Sequence, residues 1–359
     1  MPTDTPPERA TLARVAADAG VSVSSVSKVL NGQAGVSERT RVRVESLLRE
    51  HRYHRRGRPE TAAPLIELVF TEIDSAWAIE IIGGVERTAR QNGMSVVLTV
   101  SGDRHAPGAD WITGVLRRRP AGVILVFSDL PADSKRRLRS RNIPFVIVDP
   151  AGDPAEDVPS VGSANWSGGY QATQHLIGLG HRDIAIITGP RDMLCSTARL
   201  SGYRAALESA GIPPRPDYEA IGEFRRDDGV VRGRELLALT PRPTAIFAGS
   251  DLQALGVYEA ARASAVTIPE QLSVVGYDDL DVASWAGPAL TTIRQPLAEM
   301  AEQATKLVIR LRTEPDGDTP RVELATRLVV RGSTQAPLPP SGREEVVRGA
   351  DDGTGERNR

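Results

Sequence analysis

The stretch TLARVAADAGVSVSSVSKVLN, Thr11 to Asn31, reads as two short helices about a tight turn. Thr11 is placed to cap the first helix, whose apolar stripe is Leu12, Val15 and Ala16, and Gly20 supplies the backbone freedom of a sharp turn. Ser22 then caps a second helix that buries Val26, Val29 and Leu30. Ala16, Gly20 and Val26 have the spacing of a helix-turn-helix: a small residue where the helices touch, a glycine in the turn and an aliphatic anchor on the second helix. Ser37 and Glu38 open a third amphipathic helix, with Val42, Val44, Leu47 and Leu48 available to close a three-helix core.

Charge is concentrated around this unit. The whole chain has a net charge of -2, yet residues 1 to 60 hold 11 Arg or Lys against 7 Asp or Glu. From Arg39 to Arg58 eight arginines face only Glu45 and Glu50, which suits a polyanion, the alternative being a solvated helix face. A second helix docked in a major groove would bring Val23 and Ser24 to base edges, with Lys28 one turn on to donate to guanine O6 and N7. The hydroxyls of Thr11, Ser22, Ser25, Ser27 and Thr40 and the amide of Asn31 reach phosphate oxygens; for each serine, capping or solvation is the alternative.

Further along, apolar runs of strand length alternate with helical patterns: LIELVF, SVVLTV, GVILVF and FVIVD, then DIAIITG, TAIFAG and LSVVGYDD. Such runs separated by amphipathic helices predict parallel strands buried on both faces, hence α/β sheets. Two sheets are expected, giving two lobes with a cleft at their strand ends. The expected organisation is a flexible N-terminus at 1–9, a helix-turn-helix unit at 10–55, a linker at 56–64, a two-lobed core at 65–335 and a disordered tail at 336–359 rich in Pro, Gly and charge. Within the core, lobe 1 is assigned 65–162 and 289–320, and lobe 2 is assigned 163–288 and 321–335.

The motif TLARVAADAGVSVSSVSKVLNG followed by VSERTRVRVESLLREHRY resembles the headpiece of the LacI/GalR transcription regulators. GHRDIAIITGP, ARLSGYRAAL, AIFAGSDLQALGVYEA, IPEQLSVVGYDDL and PALTTIRQP resemble the sugar-binding core of the same family, which is similar to type I periplasmic binding proteins. Together the resemblance runs from Thr11 to Ser333. It implies a homodimeric repressor of carbohydrate-utilisation genes that reads a near-palindromic operator on double-stranded DNA. One departure stands out: the family commonly has a hinge helix with an Ala-Arg-x-Leu pattern, whereas HRRGRPETAAP carries Gly57, Pro59 and Pro64 and no leucine before Leu65. Arg55, Arg56 and Arg58 suit an arm attracted to the minor groove or backbone instead.

The resemblance also implies a small-molecule effector, a mono- or oligosaccharide, and the residues that hold it. These are Trp77 after the first strand, Asp149 at the end of FVIVD, Arg199 in STARLSGY, Phe224 as a stacking face, Ser250 where AIFAG meets its helix, Asp278 in VVGYDD and Gln295 in LTTIRQ. Carboxylates and amides suit hydroxyls, an arginine fork suits paired oxygens and an aromatic face suits the C–H side of a sugar. Asp129, in VFSDL, also ends a strand towards the cleft. The alternatives are loop-capping or ion-pairing roles for Asp149 and Asp278, a core position for Trp77, and either the pocket mouth or a loop underside for Trp285. Where some relatives place asparagine this chain has Ser250, which leaves room for a larger ligand or for water. Cys195 reads as an incidental thiol.

Other classes fit less well. The chain has no G-x-G-x-x-G, G-x-x-x-x-G-K-[ST] or G-x-S-x-G, and His51, His54, His105, His175 and His181 have no metal spacing, so neither an enzyme nor a cofactor or metal is expected. His181, after the glycine turn of GLGHRD, is read as holding that turn. With one cysteine there is no disulfide framework, and with no apolar run of membrane length and no signal peptide a cytoplasmic protein without membrane contact is expected. Effector binding is expected to close the lobes and separate the headpieces; the opposite sign, a corepressor, stays open.

Overall fold

A computed structural model of the chain describes residues 11–30, 35–51, 63–73, 75–102, 109–126, 130–150, 154–314 and 319–338. The expectations for residues 1–9, Asn31, most of the 56–64 linker, Asp129 and the tail from 339 lie outside the described residues.

The N-terminal unit has helices α1 (Leu12–Ala19), α2 (Val23–Leu30) and α3 (Glu38–Glu50). Each begins on a hydroxyl cap: Thr11 accepts from the Arg14 amide at 3.3 Å, Ser22 from the Ser25 amide at 3.1 Å and Ser37 from the Thr40 amide at 3.3 Å. Helix α1 stops at Gly20, which adopts φ +66°, a left-handed conformation that costs glycine no Cβ clash. Val15, Ala16, Ala19, Val26, Val29 and Val44 form the core between the helices. Val42 was expected inside but is exposed, because two residues along a helix is a turn of about 200° and the buried position is Val44.

The remaining chain builds two six-stranded sheets. The order of elements is β1 (Ala63–Phe70), α4 (Ala76–Gln91), β2 (Ser95–Val100), α5 (Ala109–Arg118), β3 (Pro120–Val126), α6 (Ala132–Arg139), β4 (Phe145–Val148), β5 (Ser160–Ser163) and α7 (Asn165–Gly178). Then come β6 (Ile184–Thr188), α8 (Leu194–Ser209), β7 (Glu219–Ile221), α9 (Arg226–Leu237), β8 (Ala245–Ala248), α10 (Asp251–Ala263), β9 (Ser273–Asp278) and α11 (Asp281–Trp285). The chain finishes with β10 (Thr291–Arg294), α12 (Leu297–Thr313), β11 (Arg321–Leu324) and β12 (Arg327–Val329). The first sheet has the order β11-β5-β4-β3-β1-β2 and the second β12-β10-β9-β8-β6-β7. The pairings are parallel except β12 against β10. Strands β3, β4, β6 and β8 are buried along their whole length, which is why their sequences are unbroken apolar runs. SVVLTV differs: β2 is the edge of the first sheet and exposes Leu98 and Val100.

The expected division of the lobes at 289 and 321 is corrected by the strand pairing. Strand β10 pairs with β9 in the second sheet, and β11 pairs with β5 in the first. The chain changes lobe after Arg294, where α12 packs on α4 and β3 of the first lobe, and changes again between β11 and β12. With the step from β5 into α7, three crossings join the lobes.

Helices α7 and α8 pack closely, because a Cβ at Gly169 would lie 2.2 Å from the Arg199 carbonyl oxygen and one at Gly202 2.1 Å from that of Trp166. Neither contact is with a flexible side chain, so the helices themselves would have to separate. Gly169→Ala is expected to cost about 1–3 kcal/mol in chemical denaturation; an unchanged midpoint contradicts the close packing that fixes Arg199.

Candidate functional site

Helix α2 presents Val23, Ser24 and Lys28 on its exposed side, Val23 with 47% of its surface accessible. Ser24 and Lys28 are one turn apart on one face. The hydroxyls singled out for phosphate contact are largely engaged at helix starts. Thr11 caps α1, the Ser22 hydroxyl lies 2.8 Å from that of Ser24 and 2.9 Å from that of Ser25, and Thr40 bonds Ser37 at 2.8 Å. Ser27 is half-buried on α2.

Between the lobes lies a cleft of about 380 Å3. The first lobe lines it with Phe70, Glu72 and Trp77, and the second with Arg199, Phe224, Ser250 and Asp278. Five of the expected residues therefore converge on it: Trp77, Arg199, Phe224, Ser250 and Asp278. Trp77 is also part of the first lobe's core, with 7% of its surface accessible, so one side chain belongs to both the core and the cleft wall. Asp149 and Gln295 are buried beside the cleft lining rather than in it. Trp285 is 76% exposed and lines no part of the cleft. Glu72 and Arg225 form an ion pair between the lobes at the cleft.

Arg199 organises the floor. It is buried, its Nε donates to Asn165 Oδ1 at 2.8 Å, its Nη1 donates to the Gly249 carbonyl at 2.6 Å, and its guanidinium lies 3.7 Å from the Tyr277 ring centre and 5.3 Å from that of Phe224. Gln295 donates to Asp278 Oδ1 at 2.6 Å and accepts from the Ser163 hydroxyl at 2.7 Å, while Asn165 donates to the Ser163 carbonyl. One chain of bonds thus runs from Arg199 through the β5–α7 crossing to the β10–α12 crossing and back to Asp278. Ser250 is the N-cap of α10, accepting from the Gln253 amide and donating to the Phe224 carbonyl, so its hydroxyl is committed to positioning the aromatic ring.

Three of these residues have left-handed backbones: Asp149 at φ +47°, Phe224 at +61° and Asp278 at +111°. Strain of this kind persists where surrounding structure imposes it, and here it gathers at the cleft. Burial raises Asp149 and pushes Asp278 up to about 7, opposed in both by the Arg199 charge. Asp251, also buried, is raised by burial and by Asp278, and accepts from the Leu280 amide and the Thr292 hydroxyl. Cys195 lines the cleft one turn before Arg199, and burial pushes its thiol up to about 12. Asn165, Ser163 and Asp251 went unread in the sequence. The signals were Asn165 before the GG pair of α7 and Asp251 directly after the capping serine.

The Asp278 shift has a testable sign. An unfolded carboxyl titrates near 4 (about 3.9 for Asp), so between that value and about 7 the folded chain keeps a proton the unfolded chain has released. This contribution to stability is full below about pH 4 and is lost as pH rises through 7. The ligand-free melting temperature of Asp278→Asn is expected to fall less than that of the parent between pH 5 and pH 8; equal slopes contradict the shift.

His181 is buried and bonds Thr244, Ser273 and the Gln335 carbonyl, tying the turn after α7 to the second sheet and the C-terminal segment. Among the described residues no His, Cys, Asp or Glu group is arranged to hold a metal ion, and no helix is long and apolar enough to cross a membrane.

Comparison with known proteins bears on both regions. Residues 11–56 match the family described as bacterial regulatory proteins, lacI family, and residues 173–334 match the periplasmic binding protein-like domain. The ribose operon repressor of Escherichia coli strain K12 is 35% identical over 331 residues, covering 90% of this chain and 99% of that protein. A transcriptional regulator CelR–cellobiose complex superposes with a TM-score of 0.70 at 35% identity over 90% of this chain and 100% of that one. The lac repressor dimer bound to operator and an anti-inducer superposes with a TM-score of 0.68 at 26% identity, covering 92% of this chain and 100% of that one. These relatives are transcription regulators.

Proposed function

Because the chain belongs to the LacI family of bacterial regulatory proteins, and is therefore a DNA-binding transcription regulator, we propose that it represses carbohydrate-utilisation genes under the control of a sugar held between its lobes. The observation that carries this reading is the position of Arg199 and Asp278. A guanidinium and a carboxylate that line the cleft with Trp77 and Phe224 are bonded directly to residues of two of the three interlobe crossings, Asn165 and Gln295. A ligand that closes the lobes on this floor must move those crossings, and through them the base of the first lobe from which the headpiece extends.

In this reading residues 10–55 are the DNA-binding unit, 56–64 the linker, 65–335 the effector core and 336–359 the tail. Val23, Ser24 and Lys28 read base edges, and Thr11, Ser22, Ser25, Ser27 and Thr40 face phosphates. Trp77, Arg199, Phe224 and Asp278 touch the effector, while Asp149, Gln295 and Ser250 hold those groups in place. The protein works in the cytoplasm as a homodimer and catalyses no reaction. Ribose and cellobiose, associated with the named relatives, are the first sugars to try.

Selection from random duplexes by the purified protein is expected to return a near-palindromic site, one half-site for each α2. Recovery of no preferred sequence overturns the reading. On the selected site, Lys28→Ala is expected to weaken binding by about 1–3 kcal/mol and to weaken random duplex less. An equal loss on both reassigns Lys28 to the phosphates.

A further inference from the structure

Neighbouring residues of one short turn belong to the cores of different lobes. Strand β9 ends at Asp278 in the second sheet, and α11 begins at Asp281. Ala283 and Leu290 are buried in the apolar core of the second lobe, with Leu236 and Val257. Leu280, by contrast, is buried in the core of the first lobe, in one cluster with Phe70, Trp77, Ala78 and Ile81, and Val282 packs against that same cluster. A side chain therefore crosses between the lobes here, in addition to the three places where the main chain does.

The turn that delivers Leu280 is held from several sides. Asp278 and Asp279 are consecutive non-glycine residues with left-handed backbones, at φ +111° and +60°, which persist only where the surroundings impose them. Asp279 is ion-paired with Arg294 of β10 and with Arg331. The Leu280 amide donates to Asp251 Oδ2 at 2.8 Å, and Asp251, buried at the start of α10, also accepts from the Thr292 hydroxyl of β10. These anchors all belong to the second lobe. The turn must move with that lobe, while its Leu280 and Val282 side chains sit in the other.

Separating the lobes draws Leu280 out of the first core and into water. Full burial of a leucine side chain corresponds to a population ratio of about ten- to a hundredfold, enough to decide which of two arrangements is the common one. We propose that Leu280 is a plug between the lobes: seated in the core of the first by a turn fixed to the second, it holds the lobes together before any ligand arrives. Asp278, two residues upstream, lines the cleft, so a molecule bound there acts on the same turn. The plug follows from the two-lobed fold and requires no particular effector.

The chain's single cysteine supplies the test, because Cys195 is buried and lines the same cleft. Separation of the lobes uncovers its thiol, so the alkylation rate of the ligand-free, full-length protein by iodoacetamide at pH 8 follows the open fraction. Leu236→Ala is the comparator, since it removes the same side chain from the core of the second lobe alone. The rate for Leu280→Ala is expected to exceed those of both the parent and Leu236→Ala by about fivefold or more. If either alanine variant fails to fold, Leu280→Val and Leu236→Val replace the pair, and a margin of about twofold decides. A smaller margin over the parent shows that Leu280 does not hold the lobes together. A smaller margin over the Leu236 variant shows that any loosening of a core uncovers the thiol. Either result overturns the proposal and leaves the sugar-effector reading untouched.

Discussion

Replacing Arg199 by alanine is expected to abolish the response to every sugar and to destabilise the core by about 3–5 kcal/mol, the usual result of removing one member of a buried charge group. The change leaves Asp149 and Asp278 without their cation, and Asn165 Oδ1 and the Gly249 carbonyl without a donor. It also opens a void against Tyr277. The abandoned carboxylates can relieve part of the loss by taking up protons, so the destabilisation should be larger at pH 8 than at pH 5.5. Urea unfolding at the two pH values checks both parts. Below its melting temperature the variant is expected to bind operator within about threefold of the parent, since none of these contacts reaches α2. A variant of parental stability that still responds to sugar contradicts the role given to Arg199.

Val26→Asp should have the opposite pattern. Val26 is fully buried at the meeting of α1, α2 and α3, in a core of six buried residues. A unit of roughly 40 residues holds only a few kcal/mol of stability, and an unpaired buried carboxylate costs about that much. The headpiece should unfold and operator affinity should fall by about a hundredfold or more, while the core keeps its unfolding transition and its sugar affinity. Retention of operator binding within threefold contradicts the assignment of DNA binding to this three-helix unit.

The contrast between the two variants follows how the chain encodes its parts. The three-helix unit is legible because its information is local: hydroxyl caps at Thr11 and Ser22, Gly20 in the turn, and aliphatic residues at helical spacing. Strands β3, β4, β6 and β8 are legible for the same reason, as unbroken runs buried on both faces. Strands β5, β7, β11 and β12 are three or four residues long, with sequences such as SVGS and RVEL, and only pairing with distant partners makes them strands. The same non-locality misdirects the lobe boundary. LTTIRQ joins the second sheet through β9, and nothing within the segment itself records that partner.

The cleft is legible to a similar depth. Arg199 and Trp77 on helices, Asp278 at a strand end and Phe224 in the loop between β7 and α9 are chemically distinctive side chains, and they reach the cleft surface. Asp149 and Gln295 belong one layer back, and Asn165 and Ser163 were unread, because their roles depend on bonds such as Ser163 to Gln295 that span 132 residues of sequence. Ser250 illustrates the limit: its small size is legible, but the bond from its hydroxyl to the Phe224 carbonyl depends on a partner 26 residues away.

The proposed function requires that occupancy of the cleft be coupled to the affinity of the headpieces for DNA. Its most direct test is the dissociation constant for the selected operator at fixed salt, measured with and without a saturating sugar that calorimetry has shown to bind. A shift of tenfold or more is expected, about 1.4 kcal/mol of coupling, whose sign identifies inducer or corepressor and which vanishes in Arg199→Ala. A sugar that fills the cleft and leaves operator affinity unchanged within twofold would contradict it.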